Sequence, residues 1–190
     1  MTDDFHFDIS KVSRLDDEGR IRELRIPELL RDAGSVMGGM TCVDLGAGTG
    51  AFALRIAARV GGKGKVFAVD DSAAMLSILM SRKPPPQIVL LQSDFTATGI
   101  ESGIADFCLA AFILHETKEP HKLIDEAFRL LKPGGRLLAV EWRAEFDSPG
   151  PPQRTRVSPE KMEAMFLQAG FKNFTHQNWT EKHYYGVSEK

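Results

Sequence analysis

Val43-Asp-Leu-Gly-Ala-Gly-Thr-Gly50 decides the reading of this chain. The stretch leaves a short run of strand formers, Thr41-Cys-Val-Asp-Leu45, and turns at once through three glycines. Glycines at such a turn let the backbone bend sharply and approach a ligand that a Cβ would exclude. Ala51–Val60 follows with helical patterning and stops at Gly61-Gly62. Taken as Gly46-x-Gly48-x-x-Ala51, the turn also satisfies the dinucleotide fingerprint. The loop alone therefore fits several adenosine-containing cofactors.

Outward from this loop the pattern alternates. Strands are expected at Lys65–Val69, Ile88–Gln92, Ile104–Phe112 and Arg136–Trp142, with helices from Asp71 or Ser72 to about Ser81 and from about Glu119 to Leu131. Lys132-Pro-Gly-Gly135 reads as the turn that ends the second of these helices. A long loop over 143–157 leads to Ser158-Pro159-Glu160, an N-cap followed by a proline in the first helical turn, and Gly170 closes that helix. Asn173–Trp179 and Lys182–Val187 are two last strands with no helix between them, hence a hairpin with one antiparallel strand. Before the loop, Ile21, Leu24, Ile26, Leu29 and Leu30 recur at helical spacing, and Pro27 splits them into two helices. The expected fold is α/β: a doubly wound, mostly parallel seven-stranded sheet, Rossmann-like, with an antiparallel C-terminal hairpin strand. One domain over residues 1–190 is expected, with 1–35 as an N-terminal helical segment whose first nineteen residues act as a lid.

Ligands of open parallel sheets bind beyond the carboxyl ends of the strands. Asp44 precedes the glycine turn, Asp70 ends the second strand, and Ser93-Asp94-Phe95 follows the third. A carboxylate at Asp70 suits two ribose hydroxyls, and an acceptor beside an aromatic face suits adenine.

With these motifs the chain, from about residue 10 onward, resembles the class I S-adenosylmethionine-dependent methyltransferases, most nearly the ubiquinone and menaquinone C-methyltransferase subgroup. Val69-Asp-Asp-Ser72 with Met75-Leu76, Leu130-Leu-Lys-Pro-Gly-Gly-Arg-Leu137 and Phe166-Leu-Gln-Ala-Gly-Phe171 continue the match in order. The resemblance implies that Gly46, Ala47, Gly48 and Gly50, with Asp44, line the methionine part of S-adenosylmethionine. It implies that Asp70 holds the ribose and the Asp71 backbone flanks the adenine. Asp94 would accept from the adenine amino group, Phe95 would lie along the ring, and Ala111 would sit beside the sulfonium. A nicotinamide-dependent oxidoreductase and a non-catalytic adenosylmethionine-binding subunit are the competing readings.

Transfer from a sulfonium asks mainly for alignment and exclusion of water, and only some acceptors need a base. His115, just past the fourth strand, is the candidate base, with Glu116 and Glu141 as weaker ones. The histidines and the two cysteines lack metal-ligand spacing, so no metal is implied. A net charge of −2 offers no field for nucleic acid or membrane, and Ala110-Ala-Phe-Ile-Leu-His115 lacks the Pro-Pro-aromatic segment of base-modifying enzymes. A small-molecule acceptor is expected. The acidic N-terminus and two thiols within apolar runs, Cys42 and Cys108, predict a cytoplasmic protein.

Overall fold

The structure, a computed structural model, describes residues 9–146 and 150–190. The aromatic pair Phe5 and Phe7, with His6, lies outside the described residues, as does Pro149. A 3-10 turn over Ile9–Arg14 leads to helices α1 (Glu18–Leu24) and α2 (Ile26–Asp32). Asp17 caps α1 by accepting from Arg20 N at 2.8 Å. Pro27 stands in the first turn of α2, and the joint between the helices is Arg25, at φ 41°.

Strands β1 (Thr41–Leu45), β2 (Lys65–Asp70), β3 (Ile88–Gln92) and β4 (Ala105–Ala111) alternate with helices α3 (Ala53–Val60), α4 (Ala73–Ser81) and, after β4, α5 (Pro120–Leu130). Strand β5 (Leu131–Trp142), helix α6 (Pro159–Ala169) and strands β6 (Lys172–Asn178) and β7 (His183–Glu189) complete the chain. Ser158 Oγ accepts from Lys161 N, Pro159 follows it, and Gly170 at φ 98° closes α6, as the sequence pattern predicts. The seven strands form one sheet in the order β3-β2-β1-β4-β5-β7-β6, with only β7 antiparallel to its neighbours.

Successive strand residues face opposite layers. Cys42, Val66, Leu109 and Leu138 pack with α1, α2 and α3, whereas Val43, Val69, Cys108 and Leu137 pack with α5 and α6. Both faces are therefore buried, as parallel sheets require.

One expectation is corrected. Lys132–Gly135 is not a free turn between α5 and the fifth strand, because β5 already starts at Leu131. Leu131 pairs with Ala105 and Arg136 with Phe107, so the four residues between bulge out of the β4 ladder. They bond instead to the end of the chain: Gly134 N donates to Lys190 O at 3.0 Å and Lys190 N to Gly135 O at 2.9 Å. That pairing partner lies 55 residues away, beyond any local pattern.

Candidate active site

Parallel register brings the carboxyl ends of β1, β2 and β4 level, with Leu45 opposite both Val69 and Ala110. The antiparallel β7 starts at the same edge, since His183 lies opposite Trp142.

The glycine turn is held from β2. Gly46 N and Ala47 N both donate to Val69 O, at 2.9 and 2.8 Å. Gly48 N donates to Asp70 Oδ2 at 2.7 Å, and Ser72 N to Asp70 Oδ1 at 2.9 Å. Asp70 thus ties the glycine turn to the start of α4, and keeps one further lone pair on each oxygen for a ligand. Burial raises its pKa against these two backbone bonds, with Asp71 and Glu116 adding to the rise. Gly50 has a packing reason to be glycine: its φ is 86° and a Cβ would stand 2.2 Å from Leu79 Cδ1. Gly48 differs. At φ 53° its Cβ would meet, among the described residues, only Leu15 Cδ1 of the N-terminal segment, at 3.8 Å.

That segment is fastened in place. Asp16 accepts from the Thr49 hydroxyl at 2.8 Å and pairs with Arg82 just past α4. Arg20 donates to Leu15 O at 2.8 Å and places its guanidinium over the Phe112 ring, 5.0 Å from the centroid.

Asp44 is fully buried at the end of β1. One of its oxygens, Oδ2, has no hydrogen-bond partner among the described residues. Burial, then the nearby Asp70 charge, raises its pKa to about 7, against a backbone hydrogen bond from Ala53. Asp71 and Asp94 are exposed, and Asp94 Oδ1 accepts from both the amide and the hydroxyl of Thr96 at 2.7 Å. Phe95 is 9% exposed and packs with Ile100 and Leu123 in the core, so only an edge of its ring is available to the surface. Ala111 ends β4, and Phe112 after it adopts φ 60°.

His115 sits on a 3-10 turn (Leu114–Glu116) after β4 and is buried. Its Nδ1 lies 2.7 Å from Glu141 Oε2, while Glu141 Oε1 accepts from Leu114 N at 2.9 Å and His115 N at 3.3 Å. Its Nε2 lies 3.6 Å from Glu116. Burial alone would lower the histidine's pKa, but the Glu141 and Glu116 carboxylates outweigh it and raise it. At neutral pH the ring is an imidazolium, which is the charge state of a donor rather than of a ready base. A cavity of about 340 Å³ opens beside it, lined by Leu114, Thr117, Arg154 and Thr155.

An aromatic group at the other side of this edge has no signature in the local sequence pattern. Phe112 packs against Phe52 (6.3 Å between centroids), Trp142 (6.1 Å) and His183 (5.0 Å), and Trp142 also meets His183 at 4.5 Å. The available signal was position: Trp142 is the last residue of β5 and His183 the first of β7.

Residues 43–139, just over half of the chain, match the family described as methyltransferase domain, and the chain belongs to that family. A demethylmenaquinone methyltransferase of Lactococcus lactis is 33% identical over 106 residues, covering 54% of this chain and 42% of that protein. A ubiquinone/menaquinone biosynthesis C-methyltransferase of Idiomarina loihiensis is 30% identical over 115 residues, 58% of this chain and 46% of that one. The matches thus span under half the length of these curated relatives. The crystal structure of an S-adenosylmethionine-dependent methyltransferase from Aquifex aeolicus superimposes with a TM-score of 0.90 at 27% identity, covering 97% of this chain and 99% of that one. The fold is the Rossmann-like methyltransferase fold.

Proposed function

We propose that the protein transfers a methyl group from S-adenosylmethionine to a small-molecule acceptor, in a single domain over residues 1–190 in which the described part of the N-terminal segment, around Leu15, Asp16 and Arg20, covers the site. The relatives' names favour an acceptor of the quinone-precursor class. The buried, unpartnered Oδ2 of Asp44 beside the glycine turn carries this reading. An acceptor atom buried without a donor costs about 1–3 kcal/mol, and the ammonium group of a methionine moiety supplies the missing donor. The space over Gly48, which a side chain would fill, suits the same moiety.

On this reading Asp44, Gly46, Ala47, Gly48 and Gly50 hold the methionine part, and Asp70 takes the ribose with its remaining lone pairs. Asp71 and Asp94 flank the adenine, which Phe95 touches by its edge, and Ala111 borders the sulfonium. When bound, S-adenosylmethionine supplies an electrophilic methyl group. The chain's own part is alignment and dryness: Leu15, Asp16 and Arg20 close the edge from above, and Phe112 and Trp142 wall it laterally. His115 remains the catalytic candidate. Held on Glu141, it offers an N–H donor at neutral pH and takes a proton only once it has lost its own. The two buried free thiols agree with a cytoplasmic setting, and no helix among the described residues is long and apolar enough to cross a membrane.

Calorimetric titration with S-adenosylmethionine and S-adenosylhomocysteine tests the reading. Binding of both is expected, weakened at least about tenfold by Asp70→Ala, since buried hydroxyls would lose their partner. No heat with either nucleoside on the intact protein would refute it.

A further inference from the structure

His183 opens β7 and is 2% exposed, yet its Nε2 has no hydrogen-bond partner among the described residues. Its other nitrogen is spoken for. Nδ1 lies 2.9 Å from the hydroxyl oxygen of Thr180, in the turn between β6 and β7. That oxygen already accepts from Lys182 N at 3.2 Å and His183 N at 3.1 Å. A hydroxyl has two lone pairs and one proton, so the proton left over donates to Nδ1. Nδ1 is therefore the unprotonated nitrogen, and a neutral ring must carry its hydrogen on Nε2. Neutrality is enforced as well: burial, then the charges of Arg20, Lys182 and Arg156, push the pKa down to about 3. The result is a fixed N–H donor, on the ring nitrogen opposite the one held by Thr180, with no acceptor among the described residues.

Its surroundings define what it could meet. The ring stands edge-on to Phe112 at 5.0 Å and to Trp142 at 4.5 Å. Guanidinium groups lie over those same rings, Arg20 over Phe112 at 5.0 Å and Arg156 over Trp142 at 5.8 Å. Aromatic walls suit a flat ring, and the positive field suits an electron-rich oxygen on it. Phe112 holds a left-handed backbone conformation, φ 60°, that is strained for a bulky residue, and such strain gathers at ligand sites. The turn that fixes the tautomer is itself anchored to the N-terminal helices: Trp179 Nε1 donates to Leu24 O at 2.6 Å, and Arg25 sits over the Trp179 ring at 4.3 Å. The donor, its tautomer lock and the N-terminal helices are thus joined by direct contacts.

We infer that His183 is a specificity residue whose Nε2–H donates to a hydroxyl or oxyanion oxygen on a planar aromatic acceptor packed against Phe112 and Trp142. The inference rests on the methyltransferase reading only in calling that ligand the acceptor.

The test uses the full chain, 15N-labelled at histidine, with 1-naphthol as the probe and naphthalene as its oxygen-free counterpart, both with S-adenosylhomocysteine present. Long-range 1H–15N correlations are expected to show His183 as the neutral Nε2–H tautomer between pH 6 and 8, with a signal that moves on adding 1-naphthol and stays with naphthalene. His183→Phe, which keeps the ring contacts, is expected to lose roughly tenfold of the preference for 1-naphthol over naphthalene. Its affinity for S-adenosylhomocysteine should be unchanged. An imidazolium or Nδ1–H form in the wild type, which needs no variant to fold, would overturn the inference. So would equal binding of the two probes, or a His183→Phe protein that keeps the preference. A wild type that fails to bind S-adenosylhomocysteine would instead overturn the methyltransferase reading and leave the tautomer and probe results to judge His183.

Discussion

Replacing Asp44 by asparagine separates what this carboxylate does for folding from what it does for a ligand. Asp44 is buried, and its pKa stands at about 7, raised by desolvation first and the Asp70 charge second. A carboxyl whose folded pKa lies above its unfolded one binds more protons when folded. Its contribution to stability therefore falls as pH rises from about 4 and levels off above about 7. Each tenfold change in proton affinity is about 1.4 kcal/mol, so the ionised group costs the folded chain roughly 4 kcal/mol at pH 8. Asparagine removes that cost and keeps an oxygen for the Ala53 amide, but buries an NH2 group in place of Oδ2, which costs about 1–3 kcal/mol. The expected balance at pH 8 is a gain of about 1–3 kcal/mol for Asp44→Asn, shrinking to nothing or a loss at pH 5. Urea unfolding from pH 5 to 8.5 measures it. The same variant should bind S-adenosylhomocysteine more weakly, because its amide cannot accept as the carboxylate does. In the wild type at pH 6, binding should release protons, seen as a dependence of the binding heat on buffer ionisation. A variant destabilised equally at both pH values, or a wild type that binds without proton release, would refute the reasoning.

Other perturbations follow from the same edge. Glu141→Gln removes the leading cause of the raised His115 pKa. The stability lost, about 3 kcal/mol for a broken buried pair, should be fully present below about pH 6.5 and fade as pH rises through the folded pKa of His115. Urea midpoints across pH read this, and a pH-independent loss would contradict it. If His115 acts as a base, wild-type kcat should climb with pH above neutrality, whereas a flat profile assigns it to donation and positioning. Gly50→Ala forces a methyl within 2.2 Å of Leu79 at a positive φ, and thermal unfolding should report a loss of about 2–4 kcal/mol. Asp16→Ala unfastens the N-terminal segment from Thr49 and Arg82, so methyl transfer should fall several-fold more than cofactor affinity. Equal falls would deny the segment its covering role.

What the sequence made legible was local. β1 and β3 lie where the runs of strand formers place them, because glycines flank β1 and Pro84-Pro-Pro86 marks the start of β3. Pro27 splits the N-terminal helices as expected, since a ring in the first turn tolerates only a helix start. The illegible parts depend on distant pairing. Lys132–Gly135 reads as a turn until Lys190 arrives to pair with it. The contact of Phe112, Trp142 and His183 exists only because the reversed β7 starts where β5 ends, and Arg20 joins them only because α1 docks on the far hairpin turn. Asp44, Asp70 and Asp94 were visible because each stands at or just past the end of its own strand. The charge state of His115 was not, because Glu141 lies 26 residues away and is brought to it by the β4–β5 pairing.

Asp44 Oδ2 and His183 Nε2 are the two buried side-chain polar atoms left without a partner among the described residues. They sit at one edge of one sheet, at the ends of β1 and β7, with β4 and β5 between them. One belongs to a carboxyl whose ionised form burial disfavours and a cationic partner would favour, and the other to a neutral donor in a positive surrounding. Each costs free energy while unpaired, and no other buried side-chain polar atom among the described residues is left so, so packing alone does not account for the pair. On the proposed function, two ligands of opposite character would do so: a cationic donor over the glycine turn, and an oxygen-bearing ring against Trp142. A methyl group passing from the first to the second would cross the end of β4, at Ala111 and Phe112, where the backbone is strained and where His115 follows three residues later. The order of the strands in the sheet is then also the order of donor, transfer point and acceptor.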